Sequence, residues 1–209
     1  GGTFDWAAHP ERQPTLSTPD PSYHGAIWNE AVKPLGPIAY ILKARVTLLR
    51  DLGAALSPFN AFLLLQGIET VPLRMARHCE NTSAVAKWLT RHPAISRVIH
   101  PSQQTGEQRA RAERYLSGGE GGLVGFELAG GREAGHRFID SLKLFYHVAN
   151  IGDTRSLAIH PASTTHSQLS GEELAATGVT EGYVRLAVGL EHIDDILADL
   201  EQALDAASQ

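Results

Sequence analysis

Apolar positions along the chain change rhythm twice. Up to residue 37 they are scattered among prolines (Pro10, Pro14, Pro19, Pro21, Pro34 and Pro37), so little regular structure is expected there. From Ile38 the apolar residues fall at helical spacing. Ile38, Ile41, Leu42, Leu48, Leu49, Leu52 and Leu56 predict an amphipathic helix over 38–56. Ser57-Pro58 ends it and opens the next, with serine as N-cap and proline at a first position that needs no N–H. Phe59 to Ile68 is apolar nearly all round, the pattern of a helix buried either in the chain's own core or under a partner subunit. Pro72 is expected to kink it, and Met75, Cys79, Val85, Trp88 and Leu89 carry a helical region on to Arg91.

After His92-Pro93 the pattern alternates between strand and helix. Strands are predicted at Ile95–His100, Gly122–Leu128, Leu144–Ala149 and Tyr183–Val188, and helices over Gly106–Leu116 and Arg132–Leu142. Ser170-Gly-Glu-Glu173 has the spacing of a capping box, so a short helix should run to Ala176. The last helix has Ile193, Ile196, Leu197, Leu200, Ala203 and Leu204 on one face. Asp194 and Asp195 stand in its first turn, where the positive end of the helix dipole favours them. The expected class is α/β, in three parts: an irregular stretch over 1–37, a long helical connection over 38–92, and an α/β sheet domain over 93–209.

Composition narrows the function classes. With 209 residues, 43% hydrophobic and 20% charged, the chain can bury a substantial core. A formal charge of -5 without a basic block argues against nucleic acid or an anionic membrane as partner. The densest apolar run, Ala61-Phe-Leu-Leu-Leu65, is too short to span a bilayer. Gly1-Gly-Thr-Phe-Asp5 is not a signal peptide, and without a starting methionine the chain reads as a processed or truncated product. The single cysteine, Cys79, excludes an internal disulfide and fits a reducing, cytoplasmic setting; it reads as a small buried apolar residue on a helix.

Three groups of residues bear on chemistry. Among ten histidines, His160 and His166, with His147 near them, form the best metal pair, yet no spacing typical of a metal site accompanies them. They read as histidines at turns and strand ends, and no metal is expected. Gly118-Gly-Glu-Gly-Gly122 precedes a strand instead of following one, so it reads as a tight turn and not as a dinucleotide loop. Arg185 lies among apolar residues in Tyr183-Val-Arg-Leu-Ala-Val188, and a strand of this kind leaves it two homes, solvent or a polar site. A guanidinium fork can hold a carboxylate through two parallel hydrogen bonds, and Asn150 and Gly152 offer an amide and an adaptable backbone for such a ligand.

Four stretches together resemble one family. They are Pro19-Asp-Pro-Ser-Tyr-His-Gly25, the long run from Lys43 through Ser57-Pro-Phe-Asn-Ala-Phe-Leu-Leu-Leu-Gln-Gly-Ile-Glu-Thr70, Asn150-Ile-Gly-Asp-Thr-Arg-Ser-Leu-Ala-Ile-His-Pro-Ala-Ser-Thr-Thr-His166, and Tyr183-Val-Arg-Leu-Ala-Val-Gly-Leu-Glu191. The chain is similar to the Cys/Met-metabolism family of pyridoxal-phosphate (PLP) enzymes along its whole length, and within it to the O-acetylhomoserine sulfhydrylases. The resemblance implies the C-terminal small domain of a fold-type I PLP-dependent transferase, a sheet with flanking helices, behind the end of the large cofactor domain. It implies an enzyme that replaces the acetate of O-acetyl-L-homoserine with sulfide or methanethiol, giving homocysteine or methionine, with the PLP ring as electron sink. It also implies a homo-oligomer. By resemblance, Arg185 binds the substrate carboxylate, Asn150 assists it, and Arg155 stands near the substrate side chain, where lyase relatives carry glutamate.

The family's PLP lysine lies in a Ser-x-Thr-Lys segment before a glycine-rich stretch. This chain opens at Gly1-Gly2, and Lys33, Lys43, Lys87 and Lys143 lie in other contexts. The expectation is a chain that holds the substrate clamp without a covalently bound cofactor, lacks the N-terminal cofactor domain as partner, and is inactive alone. The alternatives are a stand-alone amino-acid-binding module and an oligomerisation module.

Overall fold

The computed structural model describes residues 4–208. The chain divides into two compact units, Gly1–Gln66 and Gly67–Gln209.

The first unit begins with single turns. The helices α1 (Pro14–Ser17) and α2 (Trp28–Ala31) alternate with 3-10 turns at Trp6–Ala8, Pro21–Tyr23 and Lys33–Leu35. The proline-rich segment is therefore more ordered than its composition predicts. Pro14, Pro21 and Pro34 each sit in a first turn, where a fixed φ suits the helix and no N–H is needed. The turns gather Leu16, Trp28, Val32 and Ala39 into a small buried cluster. Asp20 anchors it by accepting from the Ser22 N–H (2.9 Å) and the Trp28 Nε1–H (2.8 Å) and by pairing with Lys43. The Lys43 contact first, and the Trp28 bond after it, hold the Asp20 carboxyl down at about 2.

The helix expected over 38–56 stops sooner. It comprises α3 (Ala39–Lys43), a π-helical stretch (Ala44–Leu49) and α4 (Arg50–Leu52). Gly53 terminates it in the left-handed region (φ 67°), its N–H returning 2.9 Å to the Leu49 carbonyl. The next helix, α5 (Pro58–Glu69), buries no residue, so of the two covers its composition allows the chain's own core is not the one seen. Pro72 does not kink it. The helix breaks at Thr70, and Pro72 lies in the first turn of α6 (Val71–Leu89), a position that tolerates proline.

The second unit sets helices against one face of a five-stranded sheet. In chain order its elements are α6, β1 (Ile95–Ile99), α7 (Gly106–Tyr115), β2 (Leu123–Leu128), α8 (Gly131–Ser141), β3 (Tyr146–His147), β4 (Leu157–Ile159), α9 (Gly171–Ala176), β5 (Tyr183–Ala187) and α10 (Ile193–Ala207). The sheet order is β1-β2-β5-β4-β3, antiparallel except for the β4–β3 pair. The α/β class expected from the alternating pattern holds. Alternate residues of the sheet, Val124, Phe126, Ala158, Val184 and Leu186, enter a core with Val85, Ala86 and Leu89 of α6, Phe138 of α8, and Ile196, Leu200 and Leu204 of α10. The buried positions of α6 (His78, Asn81, Thr82, Val85, Ala86 and Leu89) recur every three or four residues, which sets one face of the helix on the sheet.

The strand expected over Leu144–Ala149 shrinks to two residues, and β4 arises in a stretch whose sequence reads only as apolar. The capping box of α9 forms in full, Ser170 and Glu173 each serving the other's backbone N–H. Gly118, Gly119 and Gly121 all take positive φ, and a Cβ on Gly119 would lie 2.5 Å from Cys79 Sγ, so this glycine run makes a turn tight against α6.

Candidate functional site: the Arg185 face of the sheet

Residues of β5 alternate in their environment. Val184 and Leu186 enter the core; Tyr183 and Arg185 project from the opposite face and are half-buried. Arg185 is flanked in register by Gly125 of β2 and Ile159 of β4. Gly125 leaves room that Tyr183 fills: a Cβ there would lie 2.5 Å from the Tyr183 hydroxyl oxygen. Burial pushes the Tyr183 hydroxyl above its usual pKa, and the neighbouring Arg185 charge pulls the other way.

The Arg185 guanidinium makes one weak internal contact, an Nη2–H donated 3.4 Å to the Asn150 backbone carbonyl. Its Nε is buried and has no hydrogen-bond partner. A buried donor without an acceptor is uncommon and costly, of order 1–3 kcal/mol. Nε with a terminal nitrogen is also the edge of the fork that grips a carboxylate through two parallel bonds.

The loop 148–156 joins β3 to β4 and carries the other two residues singled out by the sequence. Asn150 reaches Arg185 through its main chain, while its side-chain oxygen accepts from the Ile151 N–H at 2.9 Å. Arg155 is exposed. Its guanidinium lies 4.5 Å from the Tyr146 ring centre and 3.7 Å from Asp153. The Asp153 carboxyl is held below its usual range, chiefly by the hydrogen bond from the Arg155 backbone N–H.

A polar cluster ties this loop down, and its members carried no signal in the sequence. Ser156 is fully buried, and both its N–H (2.7 Å) and its hydroxyl (2.9 Å) donate to the Glu191 carboxylate. Its hydroxyl oxygen accepts from the Gly189 N–H at 2.8 Å, and the Leu190 N–H donates 2.8 Å to the Thr154 carbonyl. Asn81 of α6 donates to the Gly189 and Glu191 carbonyls, both at 3.0 Å. Ser156 and Glu191 lie 35 residues apart, so no local spacing could have paired them.

Two of the three histidines considered as metal ligands have other partners. His160 follows β4, fully buried, with Nδ1 2.9 Å from Ser163 Oγ and Nε2 2.8 Å from the Glu181 carbonyl. His166 Nδ1 lies 2.9 Å from Thr165 Oγ1, and His147 is exposed on β3. Among the described residues no group of three His, Cys, Asp or Glu could hold a metal ion.

Residues 25–205 match the sequence profile of the Cys/Met metabolism PLP-dependent enzymes. The chain belongs to that family. It is 54% identical over 210 residues to the O-acetyl-L-homoserine sulfhydrylase of Leptospira meyeri, a match covering 98% of this chain and 47% of that protein. It is 50% identical over 204 residues to O-acetyl-L-homoserine sulfhydrylase 1 of Thermus thermophilus, again covering 98% of this chain and 47% of the relative. A crystal structure of a putative O-acetylhomoserine (thiol)-lyase from Campylobacter jejuni, with N'-pyridoxyl-lysine-5'-monophosphate, superposes with a TM-score of 0.80 at 44% identity. It covers 93% of this chain and 45% of that one. The chain thus spans about half the length of these relatives.

A PLP Schiff base needs a lysine beside partners for the pyridinium nitrogen and the phosphate. Of the four lysines, Lys43 is committed to Asp20 and lies 5.3 Å from the Trp28 ring centre, while Lys33, Lys87 and Lys143 are exposed. The Arg185 face fits a carboxylate.

Proposed function

We propose that this chain supplies the substrate-carboxylate site of a PLP-dependent O-acetylhomoserine sulfhydrylase. In the complete enzyme the acetate of O-acetyl-L-homoserine is replaced by sulfide or methanethiol, giving homocysteine or methionine. The buried, unpaired Nε of Arg185 carries this reading, because an incoming carboxylate supplies the acceptor it lacks. Asn150 and Arg155 belong to the same site, the first holding the guanidinium through its carbonyl and the second, by family resemblance, standing near the substrate side chain. The names and identities of the relatives support the choice of substrate.

We infer that the described residues by themselves do not catalyse the reaction, a reading supported by their lysines being either paired with Asp20 or exposed. Residues 1–37 and 38–92 are the tail of the cofactor domain and its helical connection, and 93–209 are the small domain. The complete enzyme is a cytoplasmic homo-oligomer in which other segments and a second copy cover α5. No described helix is long and apolar enough to cross a membrane.

The test is Arg185→Ala in the complete enzyme. A charge-assisted hydrogen bond is worth about 1.5–3 kcal/mol, so kcat/KM for O-acetylhomoserine should fall roughly tenfold to a hundredfold. Arg185→Lys should rescue poorly, because a point charge cannot reproduce the fork. An Arg185→Ala enzyme with unchanged kinetics would refute the assignment.

A further inference from the structure

The loop 150–155 begins at Arg185 and is fastened at both ends. At one end the Asn150 carbonyl meets Arg185. At the other, the chain entering β4 is fastened by Glu191, whose two carboxylate oxygens take the Ser156 N–H and the Ser156 hydroxyl. The hydroxyl completes its own valence by accepting from Gly189. Gly189 must be glycine, because a Cβ there would lie 2.5 Å from both the Ser156 nitrogen and the Thr154 carbonyl oxygen. This fastening sits where β5 runs out, four residues beyond Arg185, so strand and loop share one rigid anchor.

We propose that Glu191 is a positioning residue for the carboxylate site. By holding Ser156 it fixes the path of 150–155 and keeps Arg185 open to the substrate instead of letting the loop fold onto it. Glu191 touches neither substrate nor cofactor in this assignment. It acts through Ser156 and the loop, and the inference rests on Arg185 being the carboxylate residue. Loss of the carboxylate leaves the buried Ser156 N–H without an acceptor, which the loop relieves only by moving. A site residue displaced by about 1 Å loses binding or rate by as much as a hundredfold.

Two measurements test this. In the isolated chain, Glu191→Ala should speed amide hydrogen exchange across 150–156 while leaving β1 and β2 protected. In the complete enzyme, the same variant should raise KM for O-acetylhomoserine about tenfold with kcat changed by less than about threefold, and Ser156→Ala should move KM in the same direction by less. Added to Arg185→Ala, Glu191→Ala should cost nothing further in KM, because the group it positions is already gone. Glu191→Gln keeps the shape and one acceptor, so it tests the point even where the alanine variant fails to fold, with a smaller rise in KM. Unchanged KM in both Glu191→Gln and Ser156→Ala overturns the inference, as does faster exchange with normal KM. Normal kinetics in Arg185→Ala instead removes the carboxylate reading itself and the inference with it.

Discussion

Two imidazoles in the second unit are harder to protonate than a free histidine. Burial pushes His100 and His160 below the ordinary histidine value of 6.5, and neither the carboxylate of Glu120 beside His100 nor the Glu181 carbonyl on His160 reverses it. A base with a lowered folded pKa is protonated first in the unfolded chain. Stability is therefore full above the unfolded value, near 6.5, and falls as pH drops from there toward the folded values. Chemical denaturation at pH 7 and pH 5 should show a lower midpoint at pH 5, and the His100→Asn/His160→Asn double variant should shrink that difference. An equal drop in both proteins would place the titrating groups elsewhere. His160 also shows why residue roles were only half legible. A structural place at a turn or strand end could be guessed for it, but β4 was not legible and its partner Glu181 is 21 residues away. Arg185 stood out because a charge amid apolar neighbours breaks a pattern; Glu191 and Ser156 break none.

At the scale of elements, the long periodic helices and the better-marked strands were legible, because a buried stripe imposes its own spacing. The short elements were not. β4 has three residues, too few for any period to show, and it exists because β5 and β3 offer it partners on both sides. The segment leading into β3 is held by α10: Asp199, buried on that helix, accepts from the N–H groups of Lys143 (2.9 Å), Leu144 (2.8 Å) and Phe145 (3.1 Å). Asp199→Ala leaves all three N–H groups without their acceptor, at least one of them a buried donor. It should destabilise the chain by at least about 2 kcal/mol, measured by urea denaturation. A loss under about 0.5 kcal/mol, the range of a neutral surface substitution, would mean the segment finds other acceptors.

At the scale of the whole molecule, the surface of α5 dominates. Phe59, Phe62, Leu63, Leu64, Leu65 and Ile68 are all exposed, each more than half. An apolar surface of this extent marks a site of association. The chain alone should therefore self-associate with rising concentration in light scattering, and Phe62→Glu with Leu65→Glu should reduce it. A monodisperse chain at high concentration would point to an autonomous module instead. What the sequence determined by itself was local and periodic: the α/β alternation, the α9 capping box, the all-apolar character of 59–68, and an arginine out of place in a strand. Each of these is set by spacing within a few residues, where backbone geometry alone dictates which side chains share a face. What only the tertiary structure decided was long-range. It set the order β1-β2-β5-β4-β3, left Arg185 beside Gly125 with a donor unpaired, and brought Glu191 to Ser156. Those pairings depend on which distant segments meet when the core is buried, and no spacing along the chain encodes them.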